Sequence, residues 1–272
     1  MPQRRASKGE RGRSRGRRRS AALSKLLAFD RSLGARFVAG ADEAGRGPLA
    51  GPLVAAAVLF DLERLEQHFP RELRELDDSK RHEQADRERL FRAVLAAASG
   101  IRVVFRGPAE IDRDGLHRSN LSALREALQA VACQGCVCVV DGFEVGTLPH
   151  PQVAVVGGDR KSAAVAAASI VAKVLRDRHM QRLAVRYPLW GFEKHVGYST
   201  PEHRAAILTH GLTPLHRRSF ASVAYQQLEL TPNVPAGASG LEDSLEVSKL
   251  AQAEVGVDDH GDSVEAQVFP AG

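Results

Sequence analysis

The sequence predicts an α/β fold in which a mixed sheet of five strands is flanked by helices and followed by a small C-terminal helical lobe. Strand-like apolar runs come first, and later runs alternate with helical segments, which is typical of a mixed sheet covered by helices. Turn residues separate the runs. The five predicted strands are Phe37–Ala41, Leu53–Phe60, Ile101–Phe105, Cys136–Val140 and Gln152–Val156.

Helical segments fill most of the intervals between these strands. Apolar side chains recur at helical spacing in 90–98 and again in 121–131. Ala163–Leu183 is rich in alanine and contains neither Pro nor Gly, so it predicts a long helix. Tyr187–Gln226 reads as short helices and loops rich in His and Arg, and this stretch is the predicted lobe.

Charge divides the 272-residue chain into three parts. Residues 1–20 hold nine Lys or Arg and one acid, whereas residues 228–272 hold nine acids and one Lys. We predict a disordered basic arm over 1–28, a folded domain over 29–227 that includes the lobe at about 187–227, and a disordered acidic tail over 228–272. The arm fits a polyanionic partner, or it serves only as a solubilising extension.

The three cysteines, Cys133, Cys136 and Cys138, lie too close together for a disulfide framework. No apolar run approaches the roughly 20 residues that span a bilayer. We therefore expect a cytoplasmic protein that is not bound to a membrane. A zinc or iron-sulfur site at the cysteines is a weaker alternative, because a fourth nearby Cys is missing and two of the three share one face of an apolar strand.

Acidic residues follow three of the predicted strands. Asp42 and Glu43 come directly after the first strand, Asp141 follows Val140, and Asp159 follows two glycines. Sites in α/β sheets commonly open beyond strand ends, so these carboxylates are expected to share a pocket. Their mutual repulsion would be relieved by two Mg²⁺ or Mn²⁺ ions about 3.5 to 4 Å apart, which is the arrangement that catalyses phosphoryl transfer. Taken singly, each acid could instead be a turn former or a surface ion-pair partner.

Two questions remain open within this carboxylate set. Asp42 and Glu43 would point to opposite faces of a regular strand, so either the strand breaks there or one of them ligates through its main-chain carbonyl. Asp177 competes with Asp159 for the fourth position. It lies some 20 Å along the long helix, on one face with Ser169 and Lys173. We choose Asp159 and assign Asp177 to an ion pair with Lys173.

The loop after the first strand reads Gly45-Arg46-Gly47. Glycines allow main-chain N–H groups to approach a ligand closely. An ordinary turn would not require an acid pair followed at once by an arginine between two glycines.

Over residues 36–222, the chain resembles the type 2 ribonuclease H family, and bacterial ribonuclease HII in particular. The resemblance is carried by motifs in a fixed order: Asp42-Glu43-Ala44-Gly45-Arg46-Gly47-Pro48, Asp78-Ser79-Lys80, Val140-Asp141-Gly142, Gly158-Asp159, Ala166–Arg178, His195–Thr200 and His216–Phe220. It implies a ribonuclease H-like fold, cleavage of RNA in RNA-DNA hybrids, and nicking 5′ of single ribonucleotides embedded in duplex DNA. The ends left would be 3′-hydroxyl and 5′-phosphate.

The resemblance also implies residue roles. Asp42, Glu43, Asp141 and Asp159 would bind two divalent cations and act in catalysis. Gly45, Arg46 and Gly47 would sense the ribose 2′-hydroxyl and the adjacent phosphate, and Tyr198 would stack on the sugar at the RNA-to-DNA junction. We also expect a monomer that acts in ribonucleotide excision repair and DNA replication.

Several basic residues have two interpretations. Lys80 and Lys161 are candidate phosphate contacts or solvated surface lysines. His195, Arg217 and Arg218 either face the nucleic acid or cap helices in the lobe. The competing function is a non-catalytic basic protein that binds nucleic acid through its arm with strong salt dependence. Such a protein would not need acids at three separate strand ends.

Overall fold

The computed structural model describes residues 25–68, 70–76 and 82–220. The five strands are β1 Phe37–Ala44, β2 Leu53–Asp61, β3 Gly100–Arg106, β4 Cys136–Asp141 and β5 Gln152–Val155. They form one sheet in the order β3-β2-β1-β4-β5. β1 pairs antiparallel with β2, and β2 with β3, whereas β1, β4 and β5 run parallel. The predicted mixed five-stranded sheet is therefore confirmed.

Helices cover both faces of this sheet. The helices are α1 over 25–32, α2 Leu62–Gln67, α3 Gln84–Ala97, α4 Pro108–Asp114, α5 Leu116–Val131, α6 Ala163–Arg186, α7 Phe192–His195 and α8 Pro201–His210. One core cluster joins the sheet to the long α6, and a second cluster joins its other face to α5. Short 3₁₀ turns lie at Arg71–Glu75, Gly158–Arg160 and Pro188–Trp190. None of the described helices is long and apolar enough to cross a membrane.

The alternation of β1 determines what each of its residues contacts. Val38 belongs to the cluster that packs on α6, whereas Ala39 and Ala41 belong to the cluster that packs on α5. Gly40 lies where the start of α6 crosses the strand. A Cβ added there would sit 2.1 Å from the carbonyl carbon of Ala164. Glycine at this position lets the helix start pack directly on β1.

β1 continues three residues beyond the predicted end at Ala41. Asp42, Glu43 and Ala44 stay in register with three small or β-branched residues of β2, namely Ala56, Ala55 and Val54. The strand therefore does not break at the acid pair, and that alternative is wrong. Backbone pairing with β2 outweighs the weak strand preference of Asp and Glu.

The N-terminal boundary also differs from the prediction. Helix α1 begins within the predicted arm, and Leu26 and Leu27 are 3% and 8% exposed in the core. Its Asp30 is buried, and Asp30 Oδ2 accepts the backbone N–H of Ala164 at 3.1 Å. These contacts tie α1 to the start of α6. The rest of the predicted arm, residues 1–24, and the tail lie outside the described residues.

Candidate active site

Asp42 and Asp141 lie on adjacent strands at the same edge of the sheet. The parallel pairing of β1 with β4 runs to Ala41 and Val140, so each acid comes one residue beyond the last pair. Both strands turn the preceding residue toward α5, which directs the two carboxylates toward α6. There the Ser169 side chain hydrogen-bonds Asp42. Asp141 Oδ1 accepts the backbone N–H of Gly158 at 2.7 Å.

Negative charge is concentrated around Asp42. Burial raises the pKa of Asp42 well above its ordinary value, and the neighbouring charges of Glu43 and Asp141 raise it further. The Ser169 hydroxyl and the Glu43 amide, which lies 2.7 Å from Asp42 Oδ1, act in the opposite direction. Burial and the two neighbouring carboxylates together therefore disfavour the ionised form of Asp42.

Glu43 points to the other face of the strand, toward α5. Burial raises the pKa of Glu43, and the nearby Arg46 and Asn120 side chains partly offset this. Arg46 Nη1 lies 3.3 Å from Glu43 Oε1. Glu43 Oε2 is buried without a hydrogen-bond partner among the described residues. Asp42 and Glu43 project to opposite faces of β1. The charge of Asp141 nevertheless raises the pKa of both, so both carboxylates lie within electrostatic range of Asp141.

Asp159 lies in the 3₁₀ turn that precedes α6. The residue is 6% exposed, and its carboxylate is 3.8 Å from Arg160 Nε. The turn is tied to the site because Gly158, the residue before Asp159, donates to Asp141. Among the described residues, no three His, Cys, Asp or Glu side chains already form a group that could hold a metal ion. Asp159 therefore does not end a strand as predicted, since β5 ends at Val155, and the acids do not form a ready-made ligand cluster.

Residues 45–52, here called the recognition loop, follow directly from β1. Gly45 and Gly51 have positive φ angles of 93° and 86°. A Cβ on Gly45 would lie 2.2 Å from Arg176 Nε, so glycine is needed there for the fold itself. Gly47 differs, because a Cβ there would meet nothing within 4 Å. The loop therefore leaves free space over Gly47 that the protein itself does not use.

Two buried arginines hold the recognition loop from inside the protein. Arg217 donates to the carbonyls of Gly45 at 2.6 Å, Arg46 at 3.1 Å and Gly51 at 2.8 Å. Arg176 of α6 donates to the carbonyls of Pro52 at 3.0 Å and Ala50 at 3.2 Å. These hydrogen bonds fix the geometry of the loop, because they hold its carbonyl groups from the protein interior.

Tyr198 is 42% exposed and lies close to the same loop. The preceding residue, Gly197, accepts backbone N–H groups from Leu49 and Ala50 at 2.9 and 3.3 Å. Arg176 Cζ and Lys173 Nζ lie 5.7 and 5.8 Å from the centroid of the Tyr198 ring. An exposed aromatic ring is thus fixed next to the loop by the protein backbone.

A chain of three histidines supports the backbone of Tyr198 from within the lobe. His203 Nδ1 donates to Tyr198 O at 2.9 Å, and His203 Nε2 pairs with His216 Nε2 at 3.1 Å. His195 stacks on His203 with ring centroids 4.3 Å apart. Burial lowers the pKa of His203 to about 4 and that of His216 to about 3, so both rings are neutral at pH 7.

The basic residues that the sequence suggested as nucleic-acid contacts differ in exposure. Lys161 is exposed two residues after Asp159, whereas Lys80 lies outside the described residues. His195 is buried and bonds Trp190 O at 2.7 Å, so it lies inside the lobe rather than on its surface. Arg217 is fully buried beneath the recognition loop. The Arg218 side chain is exposed, and its backbone N–H donates to Asp112.

The proposed pairing of Asp177 is confirmed, since Lys173 Nζ lies 2.7 Å from Asp177 Oδ1. Sequence reasoning missed two residues of the site, Asn120 and Arg176. Asn120 follows the helical period of α5 and reads as an ordinary polar residue. The only signal for Arg176 was its place three residues after Lys173, in a helix otherwise rich in alanine.

The structure describes all three cysteines. All three are free thiols, and Cys136 and Cys138 are buried on the α5 side of β4. The described part of the chain contains no group of three potential metal ligands around them. They belong to the core of the sheet.

The family model for Ribonuclease HII matches residues 39–223. A ribonuclease HII from Xanthobacter autotrophicus is 47% identical over 195 residues, covering 72% of this chain and 75% of the relative. One from Geobacillus kaustophilus is 45% identical over 202 residues, covering 73% of this chain and 75% of the relative. The crystal structure of ribonuclease H2 from Pyrococcus horikoshii OT3 superposes with a TM-score of 0.60 at 28% identity, covering 71% of this chain and 97% of that one. This chain therefore belongs to the ribonuclease HII family of endoribonucleases, hydrolases that cleave the RNA of RNA-DNA hybrids.

Proposed function

We propose that this enzyme, besides cutting RNA-DNA hybrids, nicks duplex DNA 5′ of a single embedded ribonucleotide. The products would carry 3′-hydroxyl and 5′-phosphate ends. The observation that carries the proposal is the continuity of β1 with the recognition loop. Glu43 and Gly45 are two residues apart, so a group that senses one ribose would lie next to the carboxylates that act on its phosphate.

Recognition of a single ribose requires detection of one 2′-hydroxyl group, because this group is what distinguishes RNA from DNA at a given position. Main-chain groups of a rigid glycine loop can approach it more closely than most side chains. The free space over Gly47 suits such an approach. The exposed ring of Tyr198 supplies a second surface, on which the sugar at the junction would stack.

We propose that Asp42, Glu43, Asp141 and Asp159 hold two divalent cations, Mg²⁺ or Mn²⁺. All four donors are carboxylates, the ligands that these hard cations prefer. Two observations fit cation binding: the carboxylates of Glu43 and Asp141 beside buried Asp42, and the buried Oε2 of Glu43, which has no hydrogen-bond partner among the described residues. When bound, the cations would activate a water molecule and stabilise the leaving oxygen.

The protein's own residues would orient the substrate around these carboxylates. Arg46, 44% exposed at the edge of the site, is free to exchange its contact with Glu43 for a substrate phosphate. Lys161 is a further candidate phosphate contact, because it is exposed close to Asp159. We also propose that the enzyme acts as a cytoplasmic monomer in ribonucleotide excision repair and DNA replication.

The test uses a labelled DNA duplex that contains one ribonucleotide. It is incubated with the protein in Mg²⁺, in Mn²⁺ and in chelator, beside an all-DNA duplex and a long RNA-DNA hybrid. We expect one nick, 5′ of the ribonucleotide, in either metal, and no cleavage in chelator or of the all-DNA duplex. An intact single-ribonucleotide duplex beside a digested hybrid would contradict the junction activity.

A further inference from the structure

We propose that Arg176 is a positioning residue that fixes the recognition loop and Tyr198 relative to each other, and that selectivity for a single ribonucleotide depends on it. This inference rests on the proposed junction function. It concerns a residue that lies inside the protein and would not touch the substrate.

On the loop side, Arg176 makes contacts that only a planar fork can make together. Its Nε donates to Pro52 O at 3.0 Å and its Nη2 to Ala50 O at 3.2 Å. The side chain is fully buried, and Gly45 approaches it so closely that a Cβ there would collide with Nε. A lysine could satisfy one of these carbonyls but not both in the same geometry.

On the ring side, the same guanidinium lies 5.7 Å from the centroid of the Tyr198 ring, within the range of a cation–π interaction. The backbone closes the unit, because Gly197 O accepts N–H groups from Leu49 and Ala50 of the recognition loop. Arg176 therefore contacts both elements that would read the ribonucleotide, and it does so from one rigid helix.

The environment of Arg176 argues against a role in stability alone. Its Nη1 is buried without a hydrogen-bond partner, and the guanidinium forms no ion pair with a carboxylate in the described ranges. Burial lowers the pKa of Arg176, with the Tyr198 and Asp177 charges acting in the opposite direction. A buried charge without an ion-pair partner is destabilising, so this arginine is better explained by the carbonyls and the ring that it positions.

The test compares Arg176→Lys and Arg176→Met with a matched control, Arg178→Met. Arg178 lies on the same helix and also stacks on an aromatic ring, with its Cζ 4.9 Å from the centroid of Phe91. Its ion pair is with Glu88 of α3, at 2.6 Å, away from the recognition loop. Each variant is assayed well below its own melting temperature, so that folded protein is compared throughout.

The readout is kcat/KM on the single-ribonucleotide duplex divided by kcat/KM on a long RNA-DNA hybrid. We expect Arg176→Met to lower this ratio by about tenfold or more, the usual size for loss of a residue that orients a functional group. Arg176→Lys should lower it less, and Arg178→Met should leave it unchanged. Equal losses on both substrates, or the same shift for Arg178→Met, would overturn the inference.

A double-mutant cycle with Tyr198→Ala separates positioning from a general effect. If Arg176 acts through the placement of Tyr198, Arg176→Met should change the ratio much less in the Tyr198→Ala background than in the wild type. Full additivity would refute the inference. If the wild type does not cut the single-ribonucleotide duplex at all, the proposed junction function fails. In that case, the same double-mutant cycle, measured on the long RNA-DNA hybrid alone, still tests whether Arg176 acts through Tyr198.

Discussion

Asp42 and Asp141 are neighbours across the parallel pairing of β1 and β4, one residue beyond the last pair, Ala41 and Val140. Burial raises the pKa of Asp42 well above its ordinary value, and the charges of Glu43 and Asp141 raise it further. Cations at the proposed site would favour the ionised form of Asp42, because they would offset both effects.

We predict that Asp42→Asn and Asp141→Asn each reduce hybrid cleavage by at least about 10- to 100-fold, because each would remove a carboxylate from the proposed cation site. The melting temperature in chelator should stay the same or rise, since one of the repelling charges is gone. Cleavage assays and thermal unfolding in chelator and in Mg²⁺ measure both. Full activity in either variant would contradict the two-metal assignment.

A second prediction uses the contrast between two glycines. Gly47→Ala should leave the melting temperature unchanged, because the added methyl group meets nothing within 4 Å. Cleavage at a single ribonucleotide should nevertheless fall, since that methyl group would fill the space left for the ribose. The control is Gly40→Ala, whose Cβ would sit 2.1 Å from α6 backbone and should destabilise the fold severely. Unimpaired junction cleavage by Gly47→Ala would remove this glycine from ribose sensing.

The sequence predicted the sheet and the acids at its edge, because both follow from local patterns: apolar periodicity, glycines and carboxylates at strand ends. It placed the end of β1 too early, because Asp42 and Glu43 resemble loop residues until their pairing with Ala56 and Ala55 is known. The role of Arg176 could not be predicted locally. Its hydrogen-bond acceptors, such as Pro52 O, lie 124 residues away in the chain.

Tyr198→Ala is expected to impair single-ribonucleotide cleavage far more than hybrid cleavage. Stacking of a base or sugar on an aromatic ring contributes about 1–3 kcal/mol, so the loss on the junction substrate should be roughly 5- to 150-fold. On a long hybrid, many registers are available and the loss should be small. Initial rates on the two substrates test this, with Tyr198→Phe as the control that keeps the ring. Equal losses on both substrates would exclude a junction role for Tyr198.

The histidine chain predicts an acid-sensitive lobe. The pKa of His203 is about 4 in the folded protein against 6.5 for an ordinary histidine, because burial disfavours its charged form. The unfolded chain therefore binds the proton first, and the free energy of unfolding should fall as the pH drops from about 6.5 to about 4. Above pH 6.5 this contribution is constant.

Asp30 contributes with the opposite sign in part of the same range. Burial raises the pKa of Asp30 from 3.8 to about 6, so its contribution to stability declines as the pH rises through that window. Denaturant unfolding of the wild type and of His203→Gln, from pH 4 to pH 7.5, separates the two. The variant should show a weaker loss of stability on acidification. Parallel curves for the two proteins would rule out His203 as the source.

The position of α1 leads to a prediction about the basic N-terminal segment. Deleting residues 1–24 removes nine Lys or Arg, so binding to a hybrid duplex should weaken mainly at low salt, with a shallower salt dependence. The cleavage position and the melting temperature should not change.

Deleting residues 1–28 also removes Leu26 and Leu27 from the core. Loss of a buried leucine side chain costs about 2–5 kcal/mol, so the protein with this longer deletion should melt at a much lower temperature. Equal melting temperatures for the two deletions would contradict the role of α1, and a shifted cleavage site after the shorter deletion would give the basic segment a specific role in substrate placement.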